Sequence, residues 1–133
     1  MKKFLISIVD DDELYRYSFR RILKEMEIEN LGLMEFTDGE QAIDYVNRAI
    51  VEGGELPDII FLDINMPFMD GFEFMKEYIG LKSKLAKKVT IYMNSSSMNP
   101  SDIQKAKDFE DVTEYIIKPI EPERLREILL MEQ

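Results

Sequence analysis

The sequence predicts an α/β fold, a doubly wound sheet of five parallel strands with five helices covering both faces. Three observations predict it. Five short apolar runs are continuous rather than alternating, which suits strands buried on both sides. Segments with helical spacing lie between them, giving strict strand–helix alternation. Glycines and prolines fall at the junctions, where turns and helix starts want them.

The first strand is predicted over Phe4–Val9. A helix follows, with Leu14, Ser18, Ile22 and Met26 on one face at i, i+4 steps and Phe19 and Leu23 beside them. The second strand is Leu31–Phe36, and Asp38-Gly39 forms a turn into a second helix striped by Ala42, Ile43, Val46, Ala49 and Ile50. Gly53-Gly54-Glu55-Leu56-Pro57 separates that helix from a third strand, Ile59–Leu62. Phe72, Met75 and Ile79 mark the third helix; Gly80 interrupts it, so Lys82 to Lys88 reads as a frayed end or a loop. The fourth strand is Val89–Met93. Asn99-Pro100 opens a short fourth helix to about Asp108, with only Ile103, Ala106 and Lys107 on a possible face. Tyr115–Ile117 is the fifth strand, and Glu121-Pro122 opens a fifth helix striped by Leu125, Ile128 and Leu129.

Composition narrows the function. With 133 residues the chain fits one domain, and a single domain over residues 1–133 with no output domain after the fifth helix is expected. It has no cysteine and no histidine, which excludes disulfides, thiolate metal sites, a histidine base and phosphohistidine on this chain. A formal charge of −10 argues against nucleic acid as a partner, because phosphate contacts need a surplus of Lys and Arg. The charged start Met1-Lys2-Lys3 before an apolar run resembles an export signal, but the run is too short and Asp10-Asp11-Asp12 interrupts it. No segment is apolar enough for a membrane span, so a cytoplasmic protein is expected.

In doubly wound sheets, ligands sit beyond the carboxyl ends of the strands. Those ends here carry Asp10-Asp11-Asp12-Glu13, Asp63-Ile64-Asn65, Asn94-Ser95-Ser96-Ser97 and Lys118-Pro119. Clustered carboxylates repel unless a cation compensates them, and an all-oxygen set favours a hard ion such as magnesium. A metal between Asp11 and Asp63 leaves room for a phosphoryl oxygen, so Asp63 can act as a carboxylate nucleophile. Lys118 then balances charge on the transferring group, and Ser95 can donate a hydrogen bond to it. Singly these residues have plainer readings: Asp12 or Glu13 as a helix cap, Asp70-Gly71 as a turn, the serines as loop, Lys-Pro as chance. Their joint placement at four strand ends favours the chemical one.

At these positions the chain resembles the receiver domains of two-component response regulators, in particular chemotaxis-regulator-like receivers that stand alone. The resemblance rests on Val9-Asp10-Asp11-Asp12 with Arg16, on the run Phe61 to Gly71 around Asp63, and on Tyr115-Ile116-Ile117-Lys118-Pro119. It implies a flavodoxin-like strand order 2-1-3-4-5 and phosphorylation of Asp63. It further implies Mg2+ held by Asp11, Asp63 and the backbone carbonyl of Asn65, with Asp10 acting through water. Lys118 is implied as the counter-charge of Asp63, Tyr115 as the switch aromatic and Pro119 as a cis-proline. The switch hydroxyl falls on Ser95, with Ser96 as the alternative. Asn94 stands where the family has an apolar residue, and Phe109-Glu110-Asp111-Val112 replaces its usual Gly-Ala. The implied partners are a histidine kinase or histidine phosphotransfer protein and a target protein bound around the fourth helix, fifth strand and fifth helix. Two competing functions are a magnesium-dependent aspartyl phosphatase and a non-phosphorylated receiver that only binds. The first would want an acid/base carboxylate where Asn65 stands.

Overall fold

The computed structural model describes residues 3–133; Met1 and Lys2, part of the signal-like start, lie outside the described residues. The elements run β1 (Phe4–Val9), α1 (Glu13–Glu25), β2 (Leu31–Phe36), α2 (Gly39–Glu52), β3 (Ile59–Leu62) and α3 (Gly71–Leu81). A 3-10 turn over Lys82–Lys84 follows, then β4 (Thr90–Ser95), α4 (Pro100–Lys107), β5 (Val112–Ile117) and α5 (Pro122–Glu132). The five strands are parallel in the order β2-β1-β3-β4-β5, the order the resemblance implies.

Burial explains the continuous apolar runs. β3 is buried at every residue, and the sheet separates two apolar layers. On one face Ile6, Ile8, Ile59, Phe61 and Tyr92 pack with Phe19 and Leu23 of α1 and Leu125, Ile128 and Leu129 of α5. On the other, Val9, Ile60, Leu62, Ile91 and Met93 pack with α2, with Phe72, Phe74, Met75 and Tyr78 of α3, and with Ala106 of α4. Phe61 links the layers of one face by an edge contact to Phe19 at 5.1 Å and a stack on Tyr92 at 5.6 Å.

Four expectations change. In α1 the buried stripe is Phe19 and Leu23, whereas Leu14 and Ser18 face solvent. A stripe through Tyr15, Phe19 and Leu23 has the same i, i+4 spacing and carries bulkier side chains, so it wins the core. In α3 Phe72 and Met75 are buried as expected, but Ile79 is exposed and Gly80 lies inside the helix; Phe74 and Tyr78 complete the buried face. β4 runs on to Ser95, since Asn94 is buried with its amide hydrogen-bonded to β5. β5 begins at Val112 rather than Tyr115; its early residues Thr113 and Glu114 face solvent at the sheet edge, which hides the strand's apolar pattern.

The helix starts follow their sequence signals. Asp12 caps α1, accepting from the backbone N–H groups of Leu14 and Tyr15. Asp38 caps α2, and Asp70 and Glu73 form a capping box on α3. Pro100 and Pro122 occupy first-turn positions of α4 and α5. From β1 the chain crosses to β2 on one side and β3 on the other. This reversal opens a crevice at the carboxyl ends of β1 and β3.

Candidate functional site

Each strand end delivers one part of the crevice. Asp10 follows β1, and its backbone N–H donates to the Phe36 carbonyl at 3.0 Å. Asp63 follows β3, its N–H donating to the Val9 carbonyl at 2.9 Å, so the two aspartates leave adjacent strands side by side. Lys118 follows β5 and is fixed by its N–H to the Ser95 carbonyl at 2.9 Å. The peptide between Lys118 and Pro119 is cis.

The loop after β3 is folded tightly against the acceptor end. Gly71 donates its N–H to the Ile64 carbonyl at 2.8 Å, and a Cβ at Gly71 would lie 2.3 Å from the Asp63 carbonyl oxygen. Only glycine permits that approach. At the tip, Phe68 has a φ of 65° and is 83% exposed. Asn65 lies in this loop, two residues beyond Asp63, with its side chain exposed.

The side chains converge. Carboxylate oxygens of Asp10, Asp11 and Asp63 lie within 4.8 Å of one another; Asp10 and Asp63 are buried and Asp11 is exposed. The Lys118 ammonium is 2.6 Å from Asp10 Oδ2 and 3.4 Å from Asp63 Oδ2. It therefore pairs with the Asp63 that the resemblance implies and, more closely, with Asp10. Asp10 Oδ1 accepts the Asp12 N–H at 2.9 Å, while Arg16 donates to the Asp10 carbonyl at 2.8 Å and reaches Glu35 at 3.4 Å. Asp63 Oδ1 accepts the Ile64 N–H at 2.8 Å.

The electrostatics follow from burial and crowding. Burial pushes the Asp63 carboxyl up to about 6, and the Asp10 charge adds to it, against the opposing pull of Lys118. Burial works to lower the Lys118 ammonium, but its bond to Asp10 and the charges of Asp63 and Asp10 outweigh that and hold it above its ordinary value. One ammonium thus serves two buried carboxylates, with a third beside them. The all-oxygen donor set and its surplus negative charge fit a hard divalent cation.

The serines separate by burial. Ser95 is fully buried at the end of β4 and accepts the Ser97 N–H at 3.2 Å, while Ser96 is exposed. Ser97 donates to Asp102 at 2.6 Å. Tyr115, half-buried on β5, donates its hydroxyl to the Ser97 carbonyl at 2.8 Å. Asp70 stays with its helix as a cap. Sequence reasoning missed Tyr15, whose ring lies 4.5 Å from the Lys118 ammonium; the misplaced polar Asn94, its hydrogen-bond partner, was the available signal.

A parallel sheet with a carboxylate cluster and an ammonium at its carboxyl edge places this chain among doubly wound α/β domains with a charged crevice, and similarity to known proteins narrows the class. The model of the response regulator receiver domain matches residues 6–130. The chemotaxis protein CheY of Thermotoga maritima is 30% identical over 125 residues, 93% of this chain and 92% of that protein. The sensor histidine kinase CheAY of Helicobacter pylori is 29% identical over 95% of this chain, which spans 14% of that much longer protein. A two-component response regulator from Cytophaga hutchinsonii superposes with a TM-score of 0.83 at 26% identity, covering 99% of this chain and 98% of that one. The chain belongs to the response regulator receiver domain family. Members of this family are signalling phosphoacceptors phosphorylated on aspartate, served by histidine kinases and phosphotransfer proteins, and typically bind Mg2+ in an acidic pocket. Among the described residues no helix is long and apolar enough to cross a membrane.

Proposed function

We propose that Asp63 is the phosphoacceptor of this receiver, taking its phosphoryl group from a histidine kinase or histidine phosphotransfer protein. The observation that carries this reading is the convergence of Asp10, Asp11 and Asp63 with Lys118 at the carboxyl ends of neighbouring strands. A carboxylate oxygen of Asp63 attacks phosphorus and forms an O–P bond; the P–N bond of the donor breaks and its electron pair returns to the imidazole. Hydrolysis of the acyl phosphate by water releases inorganic phosphate and restores the carboxylate.

Asp11, Asp63 and the backbone carbonyl of Asn65 would hold Mg2+ directly and Asp10 through water, and the ion would neutralise the crowded carboxylates and the charge of the phosphoryl oxygens. Lys118, within 3.4 Å of Asp63, is near enough to pair with a phosphoryl oxygen there. Burial at the strand end favours Ser95 over Ser96 as the hydroxyl that follows the phosphoryl group. Tyr115 bonds the loop after β4, so movement of that loop reaches the face of α4, β5 and α5, where the target protein binds. Phosphorylation shifts the balance between two conformations through this contact. The net charge of −10 supports a protein rather than a nucleic acid as the partner.

The test is incubation with acetyl phosphate and Mg2+, read by intact mass. One phosphoryl adduct is expected on the wild type, absent without Mg2+ and absent in Asp63→Ala. An unmodified wild type, or an adduct that survives in Asp63→Ala, overturns the assignment. Sustained turnover of a generic phosphate ester that depends on Asp63 would point instead to a phosphatase.

A further inference from the structure

Asn94 is an amide in a strand buried at every residue, itself 2% exposed. A buried polar group is costly unless its hydrogen bonds are met, and both ends of this one are. Its Nδ2 donates to the Ile116 carbonyl at 3.1 Å, and its Oδ1 accepts from the Tyr15 hydroxyl. The same hydroxyl accepts a long bond from the Ile120 N–H at 3.4 Å. The face of the Tyr15 ring meanwhile lies 4.5 Å from the Lys118 ammonium, inside cation–π range. One side chain from α1 therefore touches β4, the residue that carries the ammonium, and the residue two positions beyond it.

We propose that Tyr15, tethered by Asn94, is a positioning residue for Lys118, holding the ammonium where it reaches Asp63; the inference rests on the phosphoacceptor reading of Asp63. A lysine has a long flexible stem, and an ammonium held by Asp10 at 2.6 Å and only loosely by Asp63 at 3.4 Å would be free to pivot about the closer contact. The aromatic face supplies a second anchor from another direction. The hydroxyl in turn fixes the ring, because Asn94 is itself locked to the β5 backbone. An apolar residue at 94 would offer the hydroxyl no acceptor, so Asn94 has a use in this chain that packing alone does not give it. The polar pair also ties α1 to the strand that ends in Ser95. Lys118 and Ser95, the two groups expected to meet a phosphoryl group, are thereby braced from one point.

The experiment uses the full chain with acetyl phosphate and Mg2+, separating the maximal phosphorylation rate constant from the half-saturating donor concentration. Tyr15→Leu removes both ring and hydroxyl and is expected to lower the maximal rate about tenfold, leaving half-saturation nearly unchanged. Tyr15→Phe keeps the ring and loses the tether, for a loss of about threefold. In a Lys118→Ala background neither change is expected to lower the rate further. Equal losses with and without Lys118 would show that Tyr15 only packs, and would overturn the proposal. Proton NMR of the Lys118 ε-methylene gives a reading independent of phosphorylation. Ring-current displacement upfield is expected in wild type and Tyr15→Phe and is lost in Tyr15→Leu; an undisplaced wild-type signal overturns the proposal. If the wild type takes no phosphoryl group, the reading of Asp63 fails while this signal still decides the role of Tyr15. Tyr15→Phe combined with Asn94→Leu leaves no orphaned amide and serves if a single variant does not fold.

Discussion

Asp63 carries a conflict that its neighbours only partly relieve. Burial first, then the charge of Asp10, raises it from 3.8 to about 6, so the fold favours its neutral form relative to the unfolded chain. The stability from that preference is fully present below about pH 3.8 and is lost as pH rises through about 6. In chelator at pH 7.5, Asp63→Asn is therefore expected to melt above wild type. Allowing for screening at the open mouth and for Lys118, the gain is about 1 kcal/mol, or roughly 3 °C. The gain should vanish by pH 4, and identical melting curves throughout would deny the repulsion. Gly71 makes a second residue-scale case. A methyl group there meets the Asp63 carbonyl oxygen at 2.3 Å, and that oxygen belongs to the backbone and cannot swing aside. Gly71→Ala is expected to cost about 2 kcal/mol and to weaken Mg2+ binding, both measurable in one set of denaturant melts with and without the ion.

At the scale of elements, local signals and tertiary packing divide the credit. Helix starts are written locally, and α3 is the clearest, since Asp70 and Glu73 satisfy one another's backbone N–H groups at 2.8 and 3.0 Å. Asp70→Ala is expected to destabilise by about 1 kcal/mol while leaving the acidic cluster intact, so urea midpoint and Mg2+ affinity should part company. Strands β1, β2 and β3 were legible to the residue because their apolar runs end at charged or turn residues. β5 was legible only at its carboxyl half: Val112, Thr113 and Glu114 lie at the sheet edge, where no second layer demands apolar side chains. The faces of α1 and α3 were harder, since two stripes of equal spacing competed and only contact with the sheet chose between them. For the site, the convergence of Asp11, Asp63 and Lys118 could be read from strand ends, while a part for Asp10 was implied only by the resemblance. Tyr15 could not, because its partners are far away in sequence and its position on α1 looks like ordinary core.

The whole molecule joins a negative surplus to a concentrated negative site. Mg2+ should bind the native crevice and not the unfolded chain, so it should raise the melting temperature by mass action. At a hundred times the dissociation constant the gain is about 2.7 kcal/mol. Asp11→Ala is expected to abolish most of this gain, because Asp11 is the solvent-facing member of the cluster and carries no Lys118 contact among the ion pairs of the described residues. Sodium chloride at matched ionic strength should not reproduce it; if it does, the effect is general screening of the net charge rather than a site.

An open sheet also has two rims, and the one formed by β5 has a further consequence. Between Ile91 and Tyr92 of β4 the pairing slips, so that Val112 and Glu114 of β5 face successive residues and Thr113 is left over. The extra residue kinks the outermost strand, and Glu114 beside it is bound to Arg124 of α5. A kinked, charged rim is a poor template for a strand from another molecule. The solvent-facing residues that hid β5 in the sequence, Thr113 and Glu114, thus lie on a rim that disfavours the addition of a further strand.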